Sequence, residues 1–531
     1  MDIKNKDRHA YFIGGGLASL AGAVYLLTDG NFKGENIHII EALPILGGSN
    51  DGSGTKSEGF VCRGGRMLNE ETYENFWDLT SKIPSLEISN ISVKDEILAF
   101  DHANPTHAKA RLVDKDAKIL PVTDMQFNTD DRLKMLNLFF TDEDKLDNIT
   151  IRDWFGDHFF TTNFWYLWQT TFAFQEWSSL FELKRYMNRM IVEFSRIDTL
   201  EGVTRTTYNQ YESVILPIKS YLDKHQVDFS LSKTVTDLDF KPGDGITVTA
   251  IRCTNADGEA ETIQLNKEDI CFFTNGCITD NSNNGDYDTP AKYLPDNPPS
   301  FLLWQRIANK KPNLLGNPDP FFTKPDQTKW YSFTCSLKGN EMLKRIEEFS
   351  GNKPGNGALM TFKDSSWRMS IVVAAQPHFK EQGNDTTIFW GYGLHPDNVG
   401  DHVKKAMIDC TGEEILTELI HHLHFEKYEQ KIKESVINVI PTMMPYIDAL
   451  FQPRAKTDRP DVVPKGSTNL ALISQFVEIP EDMVFTEEYS VRAARLAVYT
   501  LLKLDKEVAP VTSHNKKPEV LAKAVHTAYR S

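Results

Sequence analysis

Cysteine is scarce in this chain. Six residues in 531, at positions 62, 253, 271, 277, 335 and 410, form no CxxC pair and no regular spacing. That excludes a disulfide framework and points to free thiols in a reducing cytoplasm. Long apolar runs are also missing. No stretch reaches the roughly 18 residues that a membrane-spanning helix needs. The first residues, MDIKNKDRHAYF, are polar and lead straight into an apolar run, so no signal peptide is expected. Positive charge is in deficit: 58 Lys and Arg stand against 74 Asp and Glu, a net charge of −16. Nucleic acid is thereby disfavoured as a partner, and membrane contact is at most peripheral. There is no internal repeat and no low-complexity tract. The acidic loop at 280–290 lacks the calcium-loop pattern, and His421, His422 and His424 read as a solvated helix face with no third ligand signalled, so no metal is expected.

What is present is a well-furnished folded chain, 40% apolar with 32 Phe. Its length predicts two or three domains. The organising stretch is YFIGGGLASLAGAVYLLTDGNFKGENIHIIEALPILGG, Tyr11 to Gly48. Ala10–Ile13 reads as a strand ending at a glycine cluster. Leu17, Leu20, Ala21, Val24 and Leu27 recur at helical spacing, and Ile37–Ile40 is a second strand closed by Glu41. Strand, glycine turn, helix, strand and acid make a dinucleotide-binding unit. Gly14 makes the turn, and Gly16 and Ala18 open the helix where a pyrophosphate would meet free N–H groups. Glu41 stands where a carboxylate accepts ribose hydroxyls. Ser19 takes the place of the third glycine and is small enough for the helix to stay near the strand.

Downstream features favour FAD over NAD. Gly47-Gly48-Ser49 and a second glycine-rich loop follow Glu41, either as a flavin or phosphate contact or as a surface loop. Cys62-Arg63-Gly64-Gly65-Arg66-Met67 follows in turn, an order frequent in flavoproteins of the glutathione-reductase type, where the arginine (here Arg66) can meet a phosphate. Asn275-Gly276 ends a later apolar strand, and Thr486 precedes a closing amphipathic helix over 490–504. The fold expected is α/β: a Rossmann-type FAD-binding domain of glutathione-reductase type, assembled from residues 1–68, 203–290 and 436–510. A mixed α+β substrate domain is inserted as 69–202 and 291–435, with a short polar tail that carries a helix at 511–531. Residues 151–200 hold the densest aromatics, among them Phe164, Trp168, Phe172 and Phe174. They suit core packing, or the wall of a channel for a long apolar ligand.

With these segments in hand the chain resembles the oleate hydratases, also called myosin-cross-reactive antigens, over nearly its whole length. The resemblance rests on IGGGLASLAGAVYLLTDG, RGGRMLNEETYENFWDL, NFWYLWQTTFAFQEW, TTYNQYESVILP, FFTNGCIT, GDYDTPA and VFTEEYSVRAARLAVY. It implies a hydro-lyase that adds water to a cis double bond of an unsaturated fatty acid, with FAD required and no net redox change. An isolated alkene is a very weak base, so a positioned acid must protonate it while water attacks. The resemblance gives that role to Tyr186.

Two departures stand out. The family's flavin-side Glu is Met67 here, and a thioether cannot act as a base, which leaves Asn69 or Glu70 to hold the water. At the carboxylate end Gln210 is kept, but of three polar positions in the segment 372–378 only His378 remains. The bond attacked is then at carbon 9 or 12, giving a 10- or 13-hydroxy fatty acid. The C-terminal membrane anchor of longer members is expected to be absent or reduced, the location cytoplasmic or peripheral to the inner face of the membrane, and a homodimer is left open. Two rivals remain: a flavin oxidoreductase acting on a lipid or amine, and a non-catalytic fatty-acid-binding antigen.

Overall fold

The computed structural model describes residues 5, 7–50, 52–63, 67–357 and 359–530. Its first layer is a five-stranded parallel sheet in the order Leu470–Leu472, Ile270–Phe273, Ala10–Ile13, Ile37–Ile40, Asp228–Ser230. The three central strands are almost wholly apolar because both faces are covered. Helix Leu17–Thr28 is buried over its first ten residues. It lies between the sheet and helix Glu487–Leu502, so it is apolar all round rather than amphipathic. The close approach of helix to strand falls at Gly22, where a Cβ would lie 2.5 Å from the Phe12 ring. Ser19 is fully buried, its hydroxyl 3.5 Å from that of Thr274.

A second sheet has seven strands in the order Asn283–Asn284, Val436–Met444, Trp330–Lys338, Thr386–Gly393, Met369–Val372, Leu359–Phe362, Leu112–Val113. It is mixed, with one parallel pair at its end. A three-stranded antiparallel meander, Thr234–Phe240, Val248–Thr254 and Ala260–Gln264, completes the α/β architecture.

The structure corrects several expectations. Val436–Met444 pairs with Trp330–Lys338, so it belongs to the second sheet and not to the segment 436–510 expected beside the parallel one. Ser232, at φ +53°, turns the chain between Asp228–Ser230 of the parallel sheet and Thr234–Phe240 of the meander. The tail is not merely polar: helix Pro518–Tyr529 packs near Thr129–Phe140 around a shared apolar groove, and Leu136, Phe140, Val525 and Tyr529 are exposed there. His422 is buried rather than solvated. It faces Glu418 one helical turn earlier, with His402 beside them. Burial would raise the Glu418 pKa, but the His422 contact and backbone N–H bonds hold it at about 2. Its oxygens accept from the N–H groups of Asp401, His402 and Val403, so this cluster staples the 401–403 loop to helix Gly412–His422.

Candidate active site

Two cavities adjoin. One lies over the C-terminal ends of the parallel strands, where a doubly wound sheet presents its glycine turn. Gly16, Ala18, Gly48, Ser49, Gly276 and Thr486 line it. Gly14, at φ +96°, makes the sharp turn, and its amide donates to Ile40 O at 2.8 Å. Gly16 caps helix Leu17–Thr28 without a side chain, which leaves the first N–H groups of that helix for an anion. Gly48, at φ +59°, crosses so close that a Cβ would lie 3.2 Å from the Gly16 Cα. Thr486 caps helix Glu487–Leu502 by accepting the Tyr489 N–H at 3.1 Å.

Three cofactor candidates stand behind this lining rather than in it. Glu41 takes the Gly15 N–H at 2.6 Å and the Leu43 N–H at 2.8 Å, so its carboxylate is locked against the glycine turn. Burial raises its pKa against the pull of these amides. Asn275 is fully buried and tied to Ser474 and to Phe476 O. Gly14 faces Thr274. Arg66 lies outside the described residues.

The second cavity brings Met67, Tyr186, Gln210 and His378 together, from positions up to 311 residues apart (378 minus 67). Tyr186 sits on helix Leu180–Arg189 with its ring edge-on to Phe172, Phe174 and Phe451, at centroid distances of 5.3, 5.1 and 5.6 Å. Its hydroxyl donates to Val484 O at 2.5 Å. Burial first, then Tyr73 and nearby carboxylates, push the phenol pKa well above its ordinary value, so the proton is in place at neutral pH. Of the dense aromatics in 151–200, Phe172 lines this cavity while Phe155, Phe159, Phe164 and Trp165 pack against one another. Trp330, Trp390 and Tyr392 of the second sheet supply the rest of the aromatic wall.

Asn69 and Glu70 are not brought to either cavity, which corrects the role given to them. Asn69 donates to Glu193 at 2.8 Å and to Gly202 O, and accepts from Glu71 N and Thr72 Oγ1. All of its polar capacity is spent on holding that turn. Glu70 is exposed and lies 3.4 Å from His102.

At the far end Val372 and Ala374 line the cavity as plain apolar groups beside His378. The His378 N–H donates to Gln382 at 2.7 Å, its carbonyl accepts from Asn209, and its Nε2 is buried without a partner. Burial, then Arg205, lower its pKa to about 4, so the ring is neutral. Arg205 itself was missed by sequence reasoning, although TRTTYNQ places a lone cation five residues before Gln210. It lines the cavity, and among the described residues its guanidinium bonds only through Nε, at 3.3 Å to Thr106 Oγ1. Burial lowers its pKa to about 10, with Asp101 opposing, so it stays charged near neutrality. A cation and a neutral imidazole converge where a carboxylate would complete both.

The walls meet: Phe485, Thr486 and Glu487 line both cavities. Among the described residues no helix is long and apolar enough to cross a membrane, and none of the six cysteines is in a disulfide.

The MCRA family profile matches residues 7–499. The chain is 39% identical over 564 aligned positions to the linoleate hydratase of Lactiplantibacillus plantarum, covering 98% of each. It is 38% identical over 506 positions to the oleate hydratase of Streptococcus pyogenes, covering 93% of this chain and 85% of that one. Among solved structures the PF1083 protein of Pyrococcus furiosus aligns with a TM-score of 0.50 at 11% identity, over 94% of this chain and 99% of that one, a likeness of fold alone. A family match across most of the chain, with full-length relatives near 39% identity, places this protein in the MCRA family.

Proposed function

We propose that the chain is an FAD-dependent hydratase that adds water to a cis double bond of an unsaturated fatty acid. The reading extends the activities named for the two relatives to this chain. The observation that carries it is the common wall at 485–487, which sets a glycine-lined cofactor cleft beside an aromatic cavity holding a protonated, buried tyrosine.

FAD fits the first cavity on its donor set. The unoccupied N–H groups at the start of helix Leu17–Thr28 suit a pyrophosphate, and the Gly16–Gly48 approach leaves room that any side chain would fill. This makes the parallel layer a Rossmann-type FAD domain of glutathione-reductase type. Gly16, Ala18, Gly48, Ser49, Gly276 and Thr486 would hold the cofactor, with Gly14, Glu41 and Asn275 shaping the turn behind them. FAD held by these residues would shape the site without any net redox change.

The chain's own residues do the rest. Arg205, Gln210 and His378 take the carboxylate, and the aromatic walls enclose the acyl chain. Tyr186 turns its O–H from Val484 toward one alkene carbon and protonates it while water adds to the other. Because the pKa is raised, the phenol is a reluctant acid, and transfer must be concerted with attack by water. Arg205, Gln210 and His378 seat the carboxylate at one end, and the depth at which it seats makes carbon 9 or carbon 12 the target. Leu136, Phe140, Val525 and Tyr529 offer an apolar face for peripheral membrane contact, on a chain otherwise suited to the cytoplasm.

Anaerobic incubation with linoleate, FAD and a reductant in oxygen-18 water tests this. A product heavier by one labelled water supports hydration, and fragmentation places the hydroxyl at carbon 10 or 13. A product lighter by two hydrogens would instead make the chain an oxidoreductase. Bound but unchanged linoleate would make it a lipid-binding protein.

A further inference from the structure

Hydration of an alkene requires two proton movements, one onto carbon and one off the attacking water. Tyr186 accounts for the first. The second needs an acceptor near the reacting carbon, and Met67, the nearest flavin-side candidate in sequence, has only a thioether sulfur. Among the described residues the sole carboxylate lining either cavity is Glu487, and it lines both.

Its surroundings suit a negative charge with a defined direction. Glu487 is the first residue of helix Glu487–Leu502, where the helix dipole favours an anion. Asn50, from the loop after Gly48, donates its side-chain N–H to Glu487 Oε1. The residue is 4% exposed, so bulk water does not screen it. Tyr73 shares the cavity and donates to Met67 O at 3.0 Å. Its phenol is close enough to feel the Glu487 charge, and Tyr186 in turn feels Tyr73. Acid, bridging phenol and carboxylate are therefore neighbours around Met67.

We propose that Glu487 is the catalytic base of the hydration, holding the attacking water at the flavin-facing end of the substrate cavity and taking its proton. This rests on the hydratase reading given above. The balance closes without a redox partner. The Tyr186 O–H breaks as a C–H bond forms; a water O–H breaks as the C–O bond forms, with its proton passing to the Glu487 carboxylate. That proton returns through cavity water to the Tyr186 oxygen and resets the site. The net change is one water added to one double bond.

The test uses the full-length, FAD-loaded protein with oleate, read as oxygen-18 incorporated per minute, beside flavin-fluorescence titration of FAD affinity. Glu487→Gln keeps the shape and removes the base, and turnover is expected to fall about 100-fold or more, with FAD affinity within about twofold of wild type. Glu487→Asp keeps a carboxylate on a shorter stem and is expected to turn over at least about tenfold faster than Glu487→Gln. Added formate is expected to restore part of the turnover of Glu487→Ala, because it supplies the missing carboxylate. Equal activity in Gln and Asp variants, no response to formate, or a loss of FAD affinity that parallels the loss of turnover would each overturn the role. Failure of the two readings is distinguishable: wild type without labelled product removes the hydratase activity itself, whereas active wild type and an equally active Glu487→Gln removes only the base.

Discussion

The hydroxyl of Tyr186 donates to the carbonyl oxygen of Val484 at 2.5 Å, and Val484 stands two residues before Thr486 in the wall that the two cavities share. The proposed acid is thus anchored to the segment that borders the proposed cofactor cleft. Tyr186→Phe is expected to lower turnover by about 10²–10⁴. It also strips a buried carbonyl of its donor, at a cost of about 1–3 kcal/mol. Steady-state product formation and a thermal melt separate the two effects: a folded, slightly less stable and inactive variant is the expected result.

Arg205 approaches the cavity with a largely unbonded guanidinium, so it should matter for the substrate's charge and little for its chain. Arg205→Met is expected to raise KM for oleate about 10- to 100-fold with kcat changed much less. The same substitution should leave KM for methyl oleate nearly unchanged. Equal effects on acid and ester would remove the carboxylate contact.

His378 is held neutral, its pKa lowered from the usual 6.5 to about 4 by burial and then by Arg205. The unfolded chain therefore binds more protons than the folded one between about pH 4 and 6.5. Stability from this group is present above pH 6.5 and is lost as pH falls through that window. His378→Gln is expected to flatten the decline, by roughly 1–3 kcal/mol between pH 7 and pH 4.5. Denaturant unfolding of both proteins at several pH values reads it directly.

Gly48 has φ +59° and lies against Gly16. Gly48→Ala strains the backbone and narrows the cleft at once, so FAD affinity should drop about tenfold or more while the apoprotein keeps its circular dichroism spectrum. Flavin-fluorescence titration measures the change.

Glu70 is exposed and lines neither cavity. Glu70→Gln is expected to keep turnover within about twofold of wild type in the labelled-water assay.

Local features were legible in the chain, and convergent ones were less so. Ala10–Ile13 and Ile37–Ile40 form the strands expected of their apolar runs, and Leu17–Thr28 the helix expected of its spacing, because each is decided by neighbours a few positions away. Val436–Met444 opens the segment 436–510 expected in the cofactor domain yet pairs in the second sheet, since an apolar strand carries no mark of its partner. Asn69 and Glu70 looked apt because they follow Met67, yet the chain turns there and spends Asn69 on Glu193 and Gly202. Glu487 lies inside the VFTEEYSVRAARLAVY block and Arg205 just before TTYNQYESVILP, but neither block marks them as site residues. Their importance comes from cavities that assemble residues hundreds of positions apart, which spacing along the chain cannot express. His422 misled for the same reason: its partner Glu418 was visible at i−4, but burial by the 401–403 loop was not.

The parallel sheet has a consequence for biosynthesis. Its strands come from residues 10–40, 228–273 and 470–472, and the wall between the cavities comes from 485–487. A ribosome-bound chain lacking that last portion has the glycine turn but neither the fifth strand nor the shared wall. The cleft is therefore complete only once residues 470–487 have been made, and the proposed flavin would not template the folding of the segments before them.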